Sequence, residues 1–343
     1  MVSQLEEIDS LEVLVINDNE LDPISRYPPD VTAIGNLLHI ALASPEGPPQ
    51  NRGECIKEVK MDQICCGSHG ISLMITATKG DQKRTILFDT GPEESGWERN
   101  VSRLRADISQ VEVIMLSHWH RDHSGGMLRA VEMINEGRKA VNKTSPVTVD
   151  LQPDRPDYRG FLGPTGIISL EADPTFNEVE KAGGVVVKNA QGHTVLDNMF
   201  YISGEIPRVT EYEIGLRRAM RFVNEQDKWI EDTLIKDERY LMVNLKERGL
   251  VVFTGCGHAG VVNTCKNGIT NGNGVPIYAA MGGFHLADAE APTIENSVRD
   301  LKDLGIKLLF PGHCSGWRAK YEIEKQMPGC LAPSTVGTKF TFV

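Results

Sequence analysis

Residues Ser117 to Gly126, SHWHRDHSGG, hold three histidines and an aspartate at fixed offsets: His118, His120, Asp122 and His123. Imidazole nitrogens and a carboxylate are ligands suited to zinc and similar transition ions. In an extended segment, residues two apart point the same way, so His118 and His120 would face one point. Asp122 and His123, turned towards a neighbouring point, would supply a second, giving two adjacent metal positions. Surface or helix-capping histidines are the plain alternative. The chain has 9 histidines in 343 residues, and gathering three of them within six positions beside a carboxylate favours the metal reading.

The elements around this cluster follow from pattern. Val111 to Leu116 is β-branched and apolar and reads as a buried strand. Gly125-Gly126 allows a tight turn into Met127 to Lys139, which has helical propensity. The cluster therefore sits on a loop at a strand end, where side chains converge into a cleft. Further strands are expected at Leu11 to Ile16, ending at the turn-prone Asn17-Asp18-Asn19, and at Leu73 to Thr78 and Thr85 to Phe88 around Lys79-Gly80-Asp81. Val147 to Leu151 and Val185 to Lys188 also read as strands. Leu241 to Leu245 and Leu250 to Phe253 form a hairpin around Glu247-Arg248-Gly249, followed by strands at Ile277 to Met281 and, as the last one, Lys307 to Phe310. Ile294 to Leu304 and Trp317 to Met327 read as helices. Pro23 to Gly53, rich in Pro, Gly and Asn, is an insertion with one helix in the apolar patch Ile34 to Ala43. Arg217 to Asp237 is charged and helix-prone and reads as a lid or connecting segment. Histidines at the ends of three well-separated strands, each beside glycine, point to one cleft at one edge of a two-sheet core.

Hydrophobic residues at 40% and charged residues at 24% are ordinary for a globular chain of this size. The net charge is −11. Polyanion binding leans on clustered Lys and Arg, and no basic run is present, which argues against a nucleic-acid partner. Met1 to Ser10 is polar and acidic, with no secretory apolar region, and no run approaches membrane-spanning length. The seven cysteines, an odd number without a CxxC pair, read as reduced thiols in a cytoplasmic enzyme.

HxHxDH after a hydrophobic strand resembles the metallo-β-lactamase superfamily. Segments from about Leu11 to Gly316 resemble one branch of it, the 7,8-dihydropterin-6-methyl-4-(β-D-ribofuranosyl)aminobenzene-5′-phosphate synthase-like proteins. The resemblance implies an α/β (α+β) fold: a four-layer αββα sandwich of two mixed β-sheets flanked by helices. It would be a single domain over 1–343 with insertions near 20–55 and 140–240. Phe88-Asp89-Thr90-Gly91 resembles the motif whose aspartate orients the histidine loop, so Asp89 is implied to hold ligands rather than metal; a turn or cap carboxylate is its other reading. Gly255-Cys256-Gly257-His258-Ala259-Gly260 resembles the branch's GCSHAG, with Gly257 in place of serine, and implies His258 as the third imidazole of the first metal. Cys256 stands where much of the superfamily has a bridging aspartate, and reads either as a soft ligand or, by preference, as a small buried residue. Pro311-Gly312-His313-Cys314-Ser315-Gly316 resembles the closing motif and implies His313 as a ligand of the second metal with Asp122 and His123.

The remaining matches concern substrate. Gly282-Gly283-Phe284-His285-Leu286 matches the branch's GGFHL, making His285 either a catalytic imidazole that stabilises an oxyanion or protonates a leaving group, or a support for the ligands. Arg208, in a stretch resembling the branch's IPR, is a substrate anchor or a partner of a carboxylate such as Glu213. His193 resembles the superfamily's GHT histidine only superficially, and His69 matches an HGxS pattern without ligand status. With two divalent ions, most suitably Zn with Mn or Fe as alternatives, the expected chemistry is hydrolysis. A metal-bound hydroxide would attack a small lactam, lactone or ester, with Asp122 steering its proton. The alternatives are a dihydropterin-phosphate synthase-like transferase, a metal-dependent phosphoesterase, and a non-catalytic metal-dependent binding protein. The expected partner is a small molecule, with no nucleic acid and no membrane; the oligomeric state stays open, a homodimer being one option.

Overall fold

Along the strand Ser10–Asn17, Leu11, Val13 and Val15 are fully buried while Glu12 and Leu14 are half-buried. The period of two gives this strand one face towards a partner sheet and one towards the outside. The same alternation recurs in Ser72–Lys79. These strands belong to an eight-stranded sheet in a computed structural model that describes residues 5–343. Its order is Val185–Lys188, Thr148–Leu151, Val111–Met115, Gln82–Phe88, Ser72–Lys79, Ser10–Asn17, Lys339–Phe342, Thr32–Ile34. The first four pair in parallel and the rest antiparallel.

A seven-stranded sheet faces it. It runs His193–Val195, Phe200–Ile202, Leu241–Leu245, Gly249–Thr254, Ile277–Gly283, Leu308–Gly312, with Glu7–Ile8 pairing alongside Leu241–Leu245. One apolar cluster fills the space between the sheets, with Val13, Ile75, Phe88 and Phe340 from one side and Val243, Phe253, Met281 and Phe310 from the other. A second cluster packs the helices Val261–Asn271, Ala291–Asp303 and Trp317–Gln326 onto the outside of the seven-stranded sheet. A third packs Glu94–Leu104 and Met127–Ala140 onto the outside of the other. The result is the expected four-layer αββα sandwich. No helix among the described residues is long and apolar enough to cross a membrane.

Three local readings need correction. Arg217 to Asp237 is not helical: Ala219–Val223 and Lys228–Glu231 are strands of a third, four-stranded sheet completed by Tyr158–Gly163 and Gly166–Ser169. Phe222 meets Trp229 across the pair at 5.4 Å between ring centroids. Cross-strand aromatic packing, which a charge count does not register, outweighs the local helical propensity. Lys307 to Phe310 is not the last strand, because Lys339–Phe342 inserts between Ser10–Asn17 and Thr32–Ile34. The insertion after the first strand holds the helix Leu37–Ala43 as expected, and also that edge strand Thr32–Ile34. The helices Glu94–Leu104 and Val261–Asn271 had no sequence expectation.

The C-terminal strand closes the sheet from within. Phe340 and Phe342 are both buried, and truncating a buried Phe costs about 3–5 kcal/mol against a total stability of about 5–15 kcal/mol. A chain ending at Thr338 is therefore expected to lose its cooperative urea transition, followed by circular dichroism. An unchanged midpoint would show that the strand is dispensable.

Candidate metal centre

The five histidines and one carboxylate come from strand ends and the loops that follow them. His118 to His123 follow Val111–Met115, His258 follows Gly249–Thr254, and His313 follows Leu308–Gly312. Each of these three strands pairs in parallel with a neighbour, so these loops emerge on one edge. Gly125 lets the histidine loop close against the chain, since a Cβ there would lie 1.8 Å from the Pro92 carbonyl oxygen.

The donors converge in two groups. His120 Nδ1 lies 3.0 Å from His118 Nε2 and 3.1 Å from His258 Nε2. In the second group Asp122 Oδ2 lies 3.2 Å from His313 Nε2 and 3.7 Å from His123 Nε2. Cys256 Sγ stands between the groups, 3.2 Å from both His123 Nε2 and His313 Nε2. It belongs with either set of ligand atoms, each set lying within 4.8 Å of one another. The preference for Cys256 as merely a small buried residue is thus corrected: its sulfur occupies the centre. Cys314 Sγ adds a further donor, 3.1 Å from His313 Nε2 and 3.5 Å from Cys256 Sγ.

Hydrogen bonds behind the rings fix which nitrogen faces inward. Asp89 accepts from His123 Nδ1 at 2.6 Å and from both the backbone nitrogen and hydroxyl of Ser117 at 2.7 Å. Because Ser117 gives its proton to Asp89, its oxygen can only accept from His118 Nδ1, 2.9 Å away. His313 Nδ1 donates to Asn19 Oδ1 at 3.0 Å. This turns the Nε2 of each of these three rings towards the centre. Asp89 thus sits where the sequence placed it, orienting the loop, on a left-handed backbone with φ +56°.

Acceptor lone pairs about 3 Å apart in a buried pocket repel unless a cation lies among them. The electrostatics follow the same division. Burial first, and neighbouring cationic groups second, hold His118, His120 and His258 well below the ordinary imidazole value, so all three are neutral donors. In the second group burial opposes charge on His313, yet Asp122 and Cys314 carry it up to about 10. Burial likewise opposes ionisation of Asp122, but His123 and His313 hold it below its usual range. Cys256 donates to Cys314, which with His313 pulls the Cys314 thiol well down, while burial and Cys314 push Cys256 well up. Imidazole, carboxylate and thiol in this arrangement fit divalent transition ions of the zinc type.

Several supporting residues escaped the sequence reading. Glu238, fully buried, accepts from the backbone nitrogens of Gly257, His258 and Ala259 at 2.8, 2.9 and 2.5 Å, which clamps the loop bearing Cys256 and His258. Asp18 accepts from the His313 backbone nitrogen at 2.7 Å. Asp237 accepts from the Trp119 nitrogen at 2.8 Å, Arg159 donates to the Trp119 oxygen at 2.7 Å, and Arg239 donates to the Leu116 oxygen at 2.8 Å. Such long-range partners carry no local signal; only Asp18, in the turn after the first strand, had a sequence cue.

Other expected residues lie at or beyond the margin. His285 stacks on His258 at 4.5 Å between centroids, with φ +47°. A cavity of about 310 Å³ opens beside these two rings, with Arg217, Asp288 and Glu290 in its wall. Arg208 does not line that cavity: its guanidinium donates to the Ile206 carbonyl at 2.5 Å and to the Leu234 carbonyl. Glu213 does not pair with it either, but accepts from the Val262 and Asn263 nitrogens at the start of Val261–Asn271. His193 stands apart, 2.9 Å from Asp150 Oδ2. His69, largely exposed, lies 3.4 Å from Asp122 Oδ2 at the mouth.

Residues 72–203, which include the histidine loop, match the profile of the metallo-beta-lactamase superfamily. A curated relative, the 7,8-dihydropterin-6-methyl-4-(beta-D-ribofuranosyl)-aminobenzene-5′-phosphate synthase of Methanocaldococcus jannaschii, is 28% identical over 253 residues, covering 74% of this chain and 82% of that protein. A crystal structure of a metal-dependent hydrolase of the β-lactamase superfamily superposes with a TM-score of 0.66 at 22% identity, covering 96% of this chain and 98% of that one. The metallo-β-lactamase fold protein YhfI from Bacillus subtilis gives 0.50 at 11% identity, covering 97% and 100%. These two structures share their fold with this chain.

Glu213 offers a test of how the start of the helix Val261–Asn271, just after His258, is held. Burial raises its carboxyl from an ordinary 4.5 to about 7, against the opposing Val262 and Asn263 nitrogens. Between those values the folded state holds the extra proton. The group's contribution is therefore full below about pH 4.5 and is lost as pH rises through about 7. Glu213→Gln is expected to remove this dependence, so the wild type's advantage in urea midpoint over the variant shrinks across that range. A difference independent of pH would contradict the assignment.

Proposed function

We propose that this chain is a binuclear metal-dependent hydrolase that opens a small lactam, lactone or ester in the cytoplasm. The observation that carries this reading is the convergence of two donor groups on Cys256, every ligand atom of each group lying within 4.8 Å of the others. His118, His120 and His258 would hold one ion; Asp122, His123 and His313 would hold the other, with Cys256 between them and Cys314 beside the second. The thiols favour Zn over Mn or Fe. Bound there, the pair supplies a nucleophilic water at neutral pH and Lewis-acid stabilisation of developing negative charge.

The chain's own residues do the rest. Asp89, Ser117 and Asn19 fix the tautomers, so the ligands need no reorganisation when charge develops. Asp122 would be the carboxylate ligand of the centre and steer the nucleophile's proton, its side chain 21% exposed. His285, at the cavity wall beside His258, is placed to protonate a leaving group. Asp288 and Glu290 outnumber Arg217 in that wall, which favours a neutral carbonyl substrate over a phosphorylated one. The second reading, a transferase acting on a pterin phosphate precursor, is supported by the similarity to the Methanocaldococcus jannaschii synthase over 82% of its length. As a further part of the proposal the chain acts as one domain on a small molecule, without nucleic acid or membrane.

Two measurements test this reading. His120→Ala is expected to abolish turnover of a panel of lactams, lactones and esters assayed with added Zn or Mn, while the unfolding transition persists. Wild-type opening of none of them, alongside formation of the aminobenzene-linked dihydropterin phosphate, would transfer the assignment to the synthase reading. Titration of Zn against a competing chelator should give about two ions per chain, and Asp89→Asn should weaken both about 10–100-fold, one through His123 and the other through Ser117 and His118. Unchanged affinity for both would show that Asp89 does not act through these rings.

A further inference from the structure

The insertion after the first strand stands off from the sheet it covers. Leu14 and Met74 lie on the outer face of that sheet, alternating with the fully buried Val13, Val15, Leu73 and Ile75 of the inner core. Between this outer face, the insertion and the helix Glu94–Leu104 lies a cavity of about 380 Å³. Its apolar wall is built from Leu14, Met74, Ile34, Ile40, Ile64 and Leu104. It shares no residue with the metal centre or with the cavity beside His258. Its size falls in the range of small-molecule sites, and apolar cavities of this kind take up apolar ligands in preference to water.

The polar groups at its edge are unequally satisfied. Lys339 pairs with Glu12 at 2.9 Å, and Asp107 accepts from the Ser109 hydroxyl at 2.5 Å and from Gln110 at 3.0 Å. Arg103 and Arg105 have no carboxylate partner among the described residues. Each donates through one Nη1 to a main-chain oxygen, Arg103 to Ile64 at 2.6 Å and Arg105 to Ala43 at 2.5 Å. Arg103 Nη1 also approaches Cys66 Sγ at 3.2 Å. These contacts anchor the guanidinium groups to the insertion and leave their charge uncompensated. In a chain of net charge −11, two unpaired cations at the mouth of an apolar pocket are a local exception.

We propose that this cavity binds a small anionic amphiphile, a medium-chain carboxylate. Its chain lies against Leu14, Met74 and Ile40, and its carboxylate meets Arg103 and Arg105. The apolar wall supplies affinity that grows with chain length, and the guanidinium pair selects the charged head.

Calorimetric titration of the full-length, Zn-loaded protein with hexanoate, octanoate, decanoate and 1-decanol tests the proposal. Carboxylate binding is expected to saturate at one per chain and to strengthen about fourfold per added methylene. Arg105→Gln should weaken decanoate about tenfold and leave 1-decanol unchanged. Met74→Trp, which fills the cavity, should abolish binding of both; Ala43→Trp fills it from the exposed insertion helix and serves if the first variant does not fold. Absence of saturable binding, or equal loss of acid and alcohol in Arg105→Gln, would overturn it. Decanoate binding that survives both tryptophan variants would place the ligand elsewhere, at the metal centre, and would equally overturn it. The outcome is independent of which reaction the metal centre performs.

Discussion

The imidazole nitrogens of His118, His120 and His258, neutral and about 3 Å apart, repel one another, and the chain must hold them there before any cation arrives. That constraint governs the structure. Three of the rings, His118, His123 and His313, are pinned from behind, and the loop that carries His258 is clamped through its backbone. Asp89 supplies the most economical pin: one buried carboxylate accepts from Ser117 twice and from His123 once, and through Ser117 sets the tautomer of His118. The other loops are held by the same device at a distance, with Glu238 under the His258 loop and Asp18 under His313.

Those carboxylates are costly to bury and have to be matched. Glu238 is matched by three backbone donors, and burial still raises its carboxyl above the usual range. Asp150 and Asp237 are matched by Arg239 and Arg159, both almost wholly buried, which in turn grip the main chain of the histidine loop. Removing one member of such a pair leaves a buried charge exposed to a low dielectric, so these residues act as a unit. The rigidity they give is what a site needs if its ligands are to act without rearrangement.

Around this scaffold the additions occupy separate places. The third sheet carries Arg159 and Asp232 into the network behind the histidine loop, so that insertion supports the centre rather than merely covering it. The insertion after the first strand does the opposite. It pairs only with the edge of the eight-stranded sheet through Thr32–Ile34 and stands clear of the sheet's outer face, leaving room.

The four-layer fold followed from the family resemblance, while the order of the candidate donors along the chain and the strands that carry them were legible in the sequence. Their signals are local: a strand's period of two, a glycine beside a histidine, a spacing of two between His118 and His120. Asp89 was legible too, because it follows its strand directly. The shared position of Cys256, the capping role of Glu213 and the binding of Arg208 to carbonyls were not, since each depends on a partner from another part of the chain. Arg217 to Asp237 misled for a related reason: its charges suit an exposed helix, and only the partner strand Tyr158–Gly163 makes it a sheet. The sequence by itself determined which side chains are candidate donors and which strands deliver them; the tertiary structure alone decided which donors meet, because distance between loops is set by packing of the two sheets and not by anything within either loop.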